Sequence, residues 1–341
     1  MVLSLQTALD LVKKPLGMSA EETQALLALL LEQSLAVDEG GLLLRSWSER
    51  GETGLELSSV VTFLKEHAIV VPVTQASLDL VGTGGSGLMR YNISTTAAFV
   101  AASAGLPVAK HGNRGSLRPN GSFDLLDELG IPFELNPQSI ADLHVETGLC
   151  FLYARTHHPM VGKMVAYRKA AGGRSIFNLA GPLANPVLVK HQLIGAATAR
   201  SAHVLAEALS LLGAEGALVV WGEPGIDEVS ITGKTNYLRI HGADIEAGEL
   251  QPKISNISYD LLPGGDAKEN ARTFFRLLSG TENGPLLDML VENAGVAIDL
   301  WNGQAPHIGG PGAEQARALI RSGAALEKFE QYRDAAIRLA H

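Results

Sequence analysis

Between Asp79 and Asp124 the chain holds no acidic residue, although its formal net charge is −9, and the same stretch contains Arg90, Lys110, Arg114 and Arg118. An acid-free segment with these cations is suited to an anion. Its glycines, Gly82, Gly84, Gly85 and Gly87, follow the apolar Leu80 and Val81 and precede Ser94 and Thr95, which open an alanine-rich run of helical character. Glycine lets the backbone turn sharply and approach a ligand closely. A helix start beyond such a turn presents free N–H groups and the positive end of its dipole. Strand, glycine turn and helix start together describe a phosphate cradle, with Lys110-His111-Gly112-Asn113-Arg114 clustered behind it.

The run from Gly82 to Gly87 also satisfies the G-x-G-x-x-G pattern of dinucleotide sites. That pattern calls for an acidic residue about 20 positions further on, to hold a ribose hydroxyl. Here the next strand-like run, 106–109, leads into Lys110. A cation at that strand end suits phosphate rather than a ribose diol.

The elements that position these residues follow from the rest of the pattern. Residues 1–70 read as helices: Ser19-Ala20-Glu21-Glu22 has capping-box spacing, and Leu57, Val60, Val61 and Leu64 fall on one helical face. After Val70-Val71-Pro72, short apolar or β-branched runs at 106–109, 149–153, 192–196 and 217–221 alternate with helical patterns such as 202–212. Such alternation predicts an α/β fold with a mainly parallel sheet, whose ligands gather beyond the carboxyl ends of the strands. The expected organisation is a small all-helical domain over 1–70, with roughly 160–190 returning to pack on it, beside a larger α/β domain over 71–341. The run 175–186 reads as turn-rich at its end, while 286–301 and 313–340 read as helical, with a glycine-rich break at 309–312 between them.

Composition limits the function classes. A chain of 341 residues that is 46% hydrophobic and 18% charged has room for one large globular domain or two smaller ones. Its one cysteine, Cys150, excludes an intramolecular disulfide and lies in an apolar run, as a buried hydrophobe does. The start lacks the pattern of a signal peptide and no apolar run approaches the roughly 18 residues of a membrane span, so the cytoplasm is the expected setting. The acidic balance argues against general nucleic-acid binding, which needs a basic face.

The ordered motifs Arg50-Gly51-Glu52-Thr53, Gly82-Thr83-Gly84-Gly85, Asn92-Ile93-Ser94-Thr95, KHGNR from Lys110, Gly121-Ser122 with Asp124, His157-His158-Pro159, Ile176-Phe177-Asn178, Gly181-Pro182, Asn185-Pro186 and Gly222 to Ser230 run through nearly the whole chain. In these it resembles the anthranilate phosphoribosyltransferases of tryptophan biosynthesis. The resemblance implies the two-domain fold shared with pyrimidine nucleoside phosphorylases and a homodimer formed through the helical domain. It also implies transfer of phosphoribose from 5-phosphoribosyl 1-diphosphate to the amine of anthranilate, with Mg²⁺ on the diphosphate. Carried over by position, Gly82, Gly85, Asn92, Ser94, Thr95, Lys110 and Ser122 would hold the diphosphate sugar, with Ser86 and Arg90 in the same loop. Ser94, Asp227 and Glu228 would serve Mg²⁺, while Gly82, Asn113, His158 and Arg168 would face anthranilate. No residue is assigned as acid or base, because an aromatic amine is already nucleophilic and the diphosphate can leave as its metal complex.

Departures from the family pattern fall on the diphosphate side. Ser86 stands where the family has Asp, Arg90 where it commonly has Thr, and Gly115-Ser116-Leu117-Arg118 replaces a hydroxyl-rich loop. Two readings from different classes therefore stay open at this point: a phosphoribosyltransferase acting on anthranilate or a close aromatic analogue, and a noncatalytic relative that binds a phosphorylated ligand or nucleic acid. The intact Asp227-Glu228 pair and the net charge weigh against the second. KHGNR and Gly225-Ile226-Asp227-Glu228 weigh against a nucleoside phosphorylase.

Overall fold

The computed structural model describes residues 3–84, 90–115, 119–252, 258, 261–262 and 264–340. Four helices come first: α1 (Leu5–Val12), α2 (Ala20–Glu32), α3 (Val37–Arg50) and α4 (Gly54–Glu66). Ser19 and Glu22 form the capping box expected for α2, and Thr53 and Glu56 form another at α4. Gly51, at φ +94°, turns the chain between α3 and α4 through a region that side-chain-bearing residues avoid.

The α/β part follows: β1 (Ser77–Gly82), α5 (Ile93–Ser103), β2 (Val108–Gly112), α6 (Ser122–Glu128), α7 (Pro137–Thr147), β3 (Leu149–Tyr153), then α8 (Ala154–His157), α9 (Pro159–Lys163), α10 (Val165–Ala171) and α11 (Ile176–Leu183). It continues with β4 (Val189–Gly195), α12 (Ala199–Leu211), β5 (Gly216–Gly222), β6 (Thr235–His241), β7 (Asp244–Leu250), α13 (Ala267–Leu278), α14 (Pro285–Trp301), α15 (Pro311–Arg321) and α16 (Ala324–Leu339). The strands lie in the order β3-β2-β1-β4-β5-β6-β7. The first five are parallel; β6 and β7 are antiparallel to their neighbours. Strand order reverses between β1 and β4, the topological switch point at which open α/β sheets bind ligands.

Alternation along the strands separates two large cores, and Ala109, Cys150 and Leu152 on β2 and β3 belong to a third, smaller one. Leu193, Leu218 and Val220 pack on one face with α5 and the C-terminal helices, while Ile194, Ala217 and Val219 pack on the other with α2 to α4 and α10 to α12. On the first face Phe99 meets Phe151, Phe274, Phe329 and Tyr332 with ring centroids 5.4–5.8 Å apart. Burying each such ring contributes about 1.5–3 kcal/mol. On the second, α10 lies against α3 over a glycine pair: a Cβ on Gly40 would stand 2.3 Å from the Tyr167 ring, and one on Gly41 2.7 Å from Ala170. The Tyr167 hydroxyl donates to the Leu35 carbonyl at 3.1 Å.

Several local expectations change. The run 175–186 is mostly the helix α11, with Pro182 inside its last turn, where only an already weak terminal bond is lost. The helical pattern 313–340 is two helices, because Gly323 at φ +83° breaks it. The hairpin β6–β7 is absent from the sequence expectations; its alternating Asn236, Tyr237, Leu238, Arg239 and Ile240 before Gly242 carry the signal.

Candidate functional site

β1 and β4 end side by side in Gly82 and Gly195, which pair across the switch point. The turn after β5 fills the crevice between them. A Cβ on Gly82 would lie 2.5 Å from Asp227 Oδ2, and one on Gly195 only 1.7 Å from the Asp227 carbonyl, so both positions are glycine because Asp227 is there. Asn293, on α14, clamps the same turn: its side chain accepts from the Val229 N–H and donates to the Val229 carbonyl, each at 2.9 Å. Sequence reasoning misses Asn293, which carries no local motif.

Asp227 is held from two sides. Its Oδ2 accepts the Gly84 N–H at 2.7 Å, and its Oδ1 is ion-paired with the Arg90 guanidinium. Ser94, Asp227 and Glu228 line one small cavity with Gly195 and Asn293, so the three residues expected to serve a metal come together. Glu228 Oε2 is shut off from solvent and has no hydrogen-bond partner among the described residues. Burial pushes this carboxyl up to about 7 against the pull of Arg90 and Lys110. A sealed, unsatisfied carboxylate oxygen beside a serine hydroxyl fits Mg²⁺, a hard cation that takes one or two carboxylates and completes its shell with water and substrate phosphate.

Lys110 lies deeper than a phosphate ligand at the surface. It is 2% exposed and its ammonium donates to the Leu80 carbonyl. Burial lowers it to about 8 while Asp79 and Glu228 hold it up. Asp79, an acid inside a buried strand, accepts from Asn185 Nδ2 at 3.0 Å and from the His111 N–H at 3.3 Å. Burial raises Asp79 from 3.8 to about 6, with Lys110 opposing. The folded chain therefore binds a proton here that the unfolded chain releases. Stability contributed by this group is full below about pH 4 and lost as pH rises through about 6, at up to about 1.4 kcal/mol per pH unit. In urea unfolding, Asp79→Asn is expected to flatten that part of the profile; an unchanged slope would contradict the assignment.

The first turn of α5 has no side-chain cap. Next to it Asn92 donates to the Asn120 carbonyl and accepts from Asn270, both at 2.8 Å, which fixes its amide in place. Thr95 donates to Ser122 Oγ at 3.0 Å, leaving the Ser122 hydroxyl hydrogen available. Asp124 Oδ2 accepts the Gly115 and Gly121 N–H groups at 2.7 and 2.8 Å and so shapes the loop before α6. Gly85 and Ser86, and the altered Ser116, Leu117 and Arg118, lie outside the described residues.

Two of the residues expected at the acceptor, His158 and Arg168, lie against α11 and its C-terminal end, with His111 beside them. His111 Nδ1 lies 3.0 Å from the Gly181 carbonyl, His158 Nε2 2.7 Å from that of Ala184, and the two rings stand 5.3 Å apart. Arg168 is half-buried with its guanidinium 5.9 Å from the Phe177 ring, and no carboxylate among the described residues pairs with it. Burial lowers its pKa, the mark of a cation that gains from an incoming anion. Asn113 is exposed just beyond the end of β2. Arg174, missed in the sequence, donates to the Thr83 and Gly84 carbonyls at 3.0 and 2.6 Å and ties the segment before α11 to the glycine turn.

The model of the glycosyl transferase family, a/b domain, matches residues 74–326. The anthranilate phosphoribosyltransferase of Rubrobacter xylanophilus is 38% identical over 326 residues, 95% of each chain. That of Azorhizobium caulinodans is 39% identical over 303 residues, 88% of this chain and 87% of the relative. Among solved structures, anthranilate phosphoribosyltransferase from Thermus thermophilus matches with a TM-score of 0.88 at 34% identity, covering 97% of this chain and 99% of that one. The Saccharomyces cerevisiae protein in complex with PRPP and Mg matches with a TM-score of 0.86 at 27% identity, covering 99% and 100%.

Proposed function

The chain belongs to the glycosyl transferase family and, within it, to the anthranilate phosphoribosyltransferases, and from that premise we propose how its residues transfer phosphoribose from 5-phosphoribosyl 1-diphosphate to the amine of anthranilate. The observation that carries the reading is the meeting, at the β1/β4 switch point, of a glycine turn, an uncapped helix start and the oxygens of Ser94 and Glu228.

Displacing diphosphate from the anomeric carbon leaves negative charge on the leaving group and positive charge on the ribose. The protein's task is to position the reactants and stabilise the departing charge. Gly82, Asn92, Ser94, Thr95 and Ser122 hold the diphosphate sugar, with Gly85 and Ser86 in the same loop. Lys110 adds its charge from behind the cradle and Arg90 from its rim. Ser94 and Glu228 hold Mg²⁺, with Asp227 beside them; when bound, the ion supplies positive charge to the leaving diphosphate. Arg168 takes the anthranilate carboxylate while Phe177 fixes the plane of its guanidinium, and Gly82, Asn113 and His158 line the acceptor's approach.

No helix among the described residues is long and apolar enough to cross a membrane. We assign the protein to the cytoplasm, as a homodimer associating through α1 to α4, where Leu16, Val37, Leu42 and Leu55 leave apolar surface exposed.

Purified protein mixed with Mg²⁺, phosphoribosyl diphosphate and anthranilate is expected to remove anthranilate fluorescence with equimolar release of diphosphate. Retained ligand binding without product, across a range of Mg²⁺ concentrations, would move the assignment to the noncatalytic reading.

A further inference from the structure

Both carboxylate oxygens of Asp227 are already occupied by protein donors: Oδ1 by the Arg90 guanidinium and Oδ2 by the Gly84 N–H. The pair is well shielded, with side-chain exposures of 18% for Arg90 and 4% for Asp227. A charge-assisted bond in such a place is stronger than an exposed one, and removing one partner of a shielded pair leaves an uncompensated charge. The neighbouring Glu228 Oε2 has no hydrogen-bond partner among the described residues. Of two adjacent carboxylates, then, one is neutralised by a side chain of the same chain and one is open to a cation.

We propose that Arg90 stands in for a second divalent cation on Asp227, so that this site binds a diphosphate ester with one Mg²⁺, held by Glu228 and Ser94. Geometry favours this role because the Arg90 guanidinium and the Gly84 N–H meet on the same Asp227 carboxylate, which sets the cation beside the glycine turn. An arginine fixed in this way is positioned before the ligand arrives and costs no ion capture, whereas a second Mg²⁺ must be partly dehydrated to bind.

The inference rests on the reading of the site as a diphosphate site, and the test separates the two. Mn²⁺, counted by electron paramagnetic resonance, is titrated into the protein with saturating phosphoribosyl diphosphate and, in parallel, with inorganic diphosphate. The wild type is expected to retain one Mn²⁺ per chain in the ternary complex. Arg90→Gln is expected to retain two, with the dependence of ligand affinity on free Mg²⁺ steepening from one ion per ligand to two. Arg90→Lys, which keeps the charge, should stay at one. Two Mn²⁺ in the wild type, or an unchanged count in folded Arg90→Gln, overturns the proposal; if Arg90→Gln fails to fold, the wild-type and Arg90→Lys counts still decide it. Binding of inorganic diphosphate with one Mn²⁺ but no binding of the sugar diphosphate would instead overturn the assigned reaction and leave the cation count standing. If neither ligand binds, both are overturned.

Discussion

Replacing Glu56 by Ala is expected to lower folding stability by about 3–5 kcal/mol, the cost of breaking a buried ion pair by removing one partner. Glu56 is fully buried and pairs with Arg50 through both oxygens, at 2.5 and 2.7 Å. It also accepts the Met18 N–H at 3.0 Å and the Thr53 N–H at 2.9 Å, so one carboxylate joins the end of α3, the start of α4 and the loop before α2. Alanine strands a guanidinium and these amides at once. Because α4 packs on α2, α11 and α12, the loss should spread to the acceptor side of the site. Denaturant unfolding measures it; a change below about 1 kcal/mol, the scale of a surface pair, would show that Arg50 finds another partner.

Glu228→Gln is expected to lower kcat on the order of 10²–10³-fold, the usual effect of deleting one preorganised electrostatic contact to the developing charge. Glutamine keeps the shape but turns an amide toward the cation and removes the charge that attracts it. Thermal stability should hold, because the wild-type Oε2 has no hydrogen bond to lose among the described residues. Steady-state kinetics over a Mg²⁺ series check this. Near-wild-type turnover at saturating Mg²⁺ would remove Glu228 from the metal site.

Motifs made of glycines, prolines and capping residues are legible in the sequence because each imposes a local backbone constraint. The capping box at Ser19 and the turn at Gly82 to Gly84 are readable on that basis, and the strand 149–153 from its unbroken apolar run. What escapes depends on distant partners. Arg90 reads as a cation free to meet a ligand, yet its partner Asp227 lies 137 positions away and only the sheet order brings them together. Lys110 reads as a direct phosphate contact because the alternation of β2, which points it inward at Leu80, cannot be fixed without knowing what covers each face. Asn293 and Arg174 have no local signal at all: one is a polar position in an apolar helix and the other a loop cation.

The two edges of the sheet are protected by different means. At one end β3 is entirely buried, packed under α7. At the other, β7 is mostly exposed, and among the described residues no strand pairs beyond it. Its sequence, Asp244-Ile245-Glu246-Ala247-Gly248-Glu249-Leu250, places three carboxylates along that open ladder. A strand approaching from another molecule meets like charge if it is acidic, and must in any case strip water from these carboxylates before its backbone can pair. The acidity of β7 thus does for self-assembly what a covering helix does at β3: it keeps a sheet with unused hydrogen-bonding groups from growing past the boundary of its own fold.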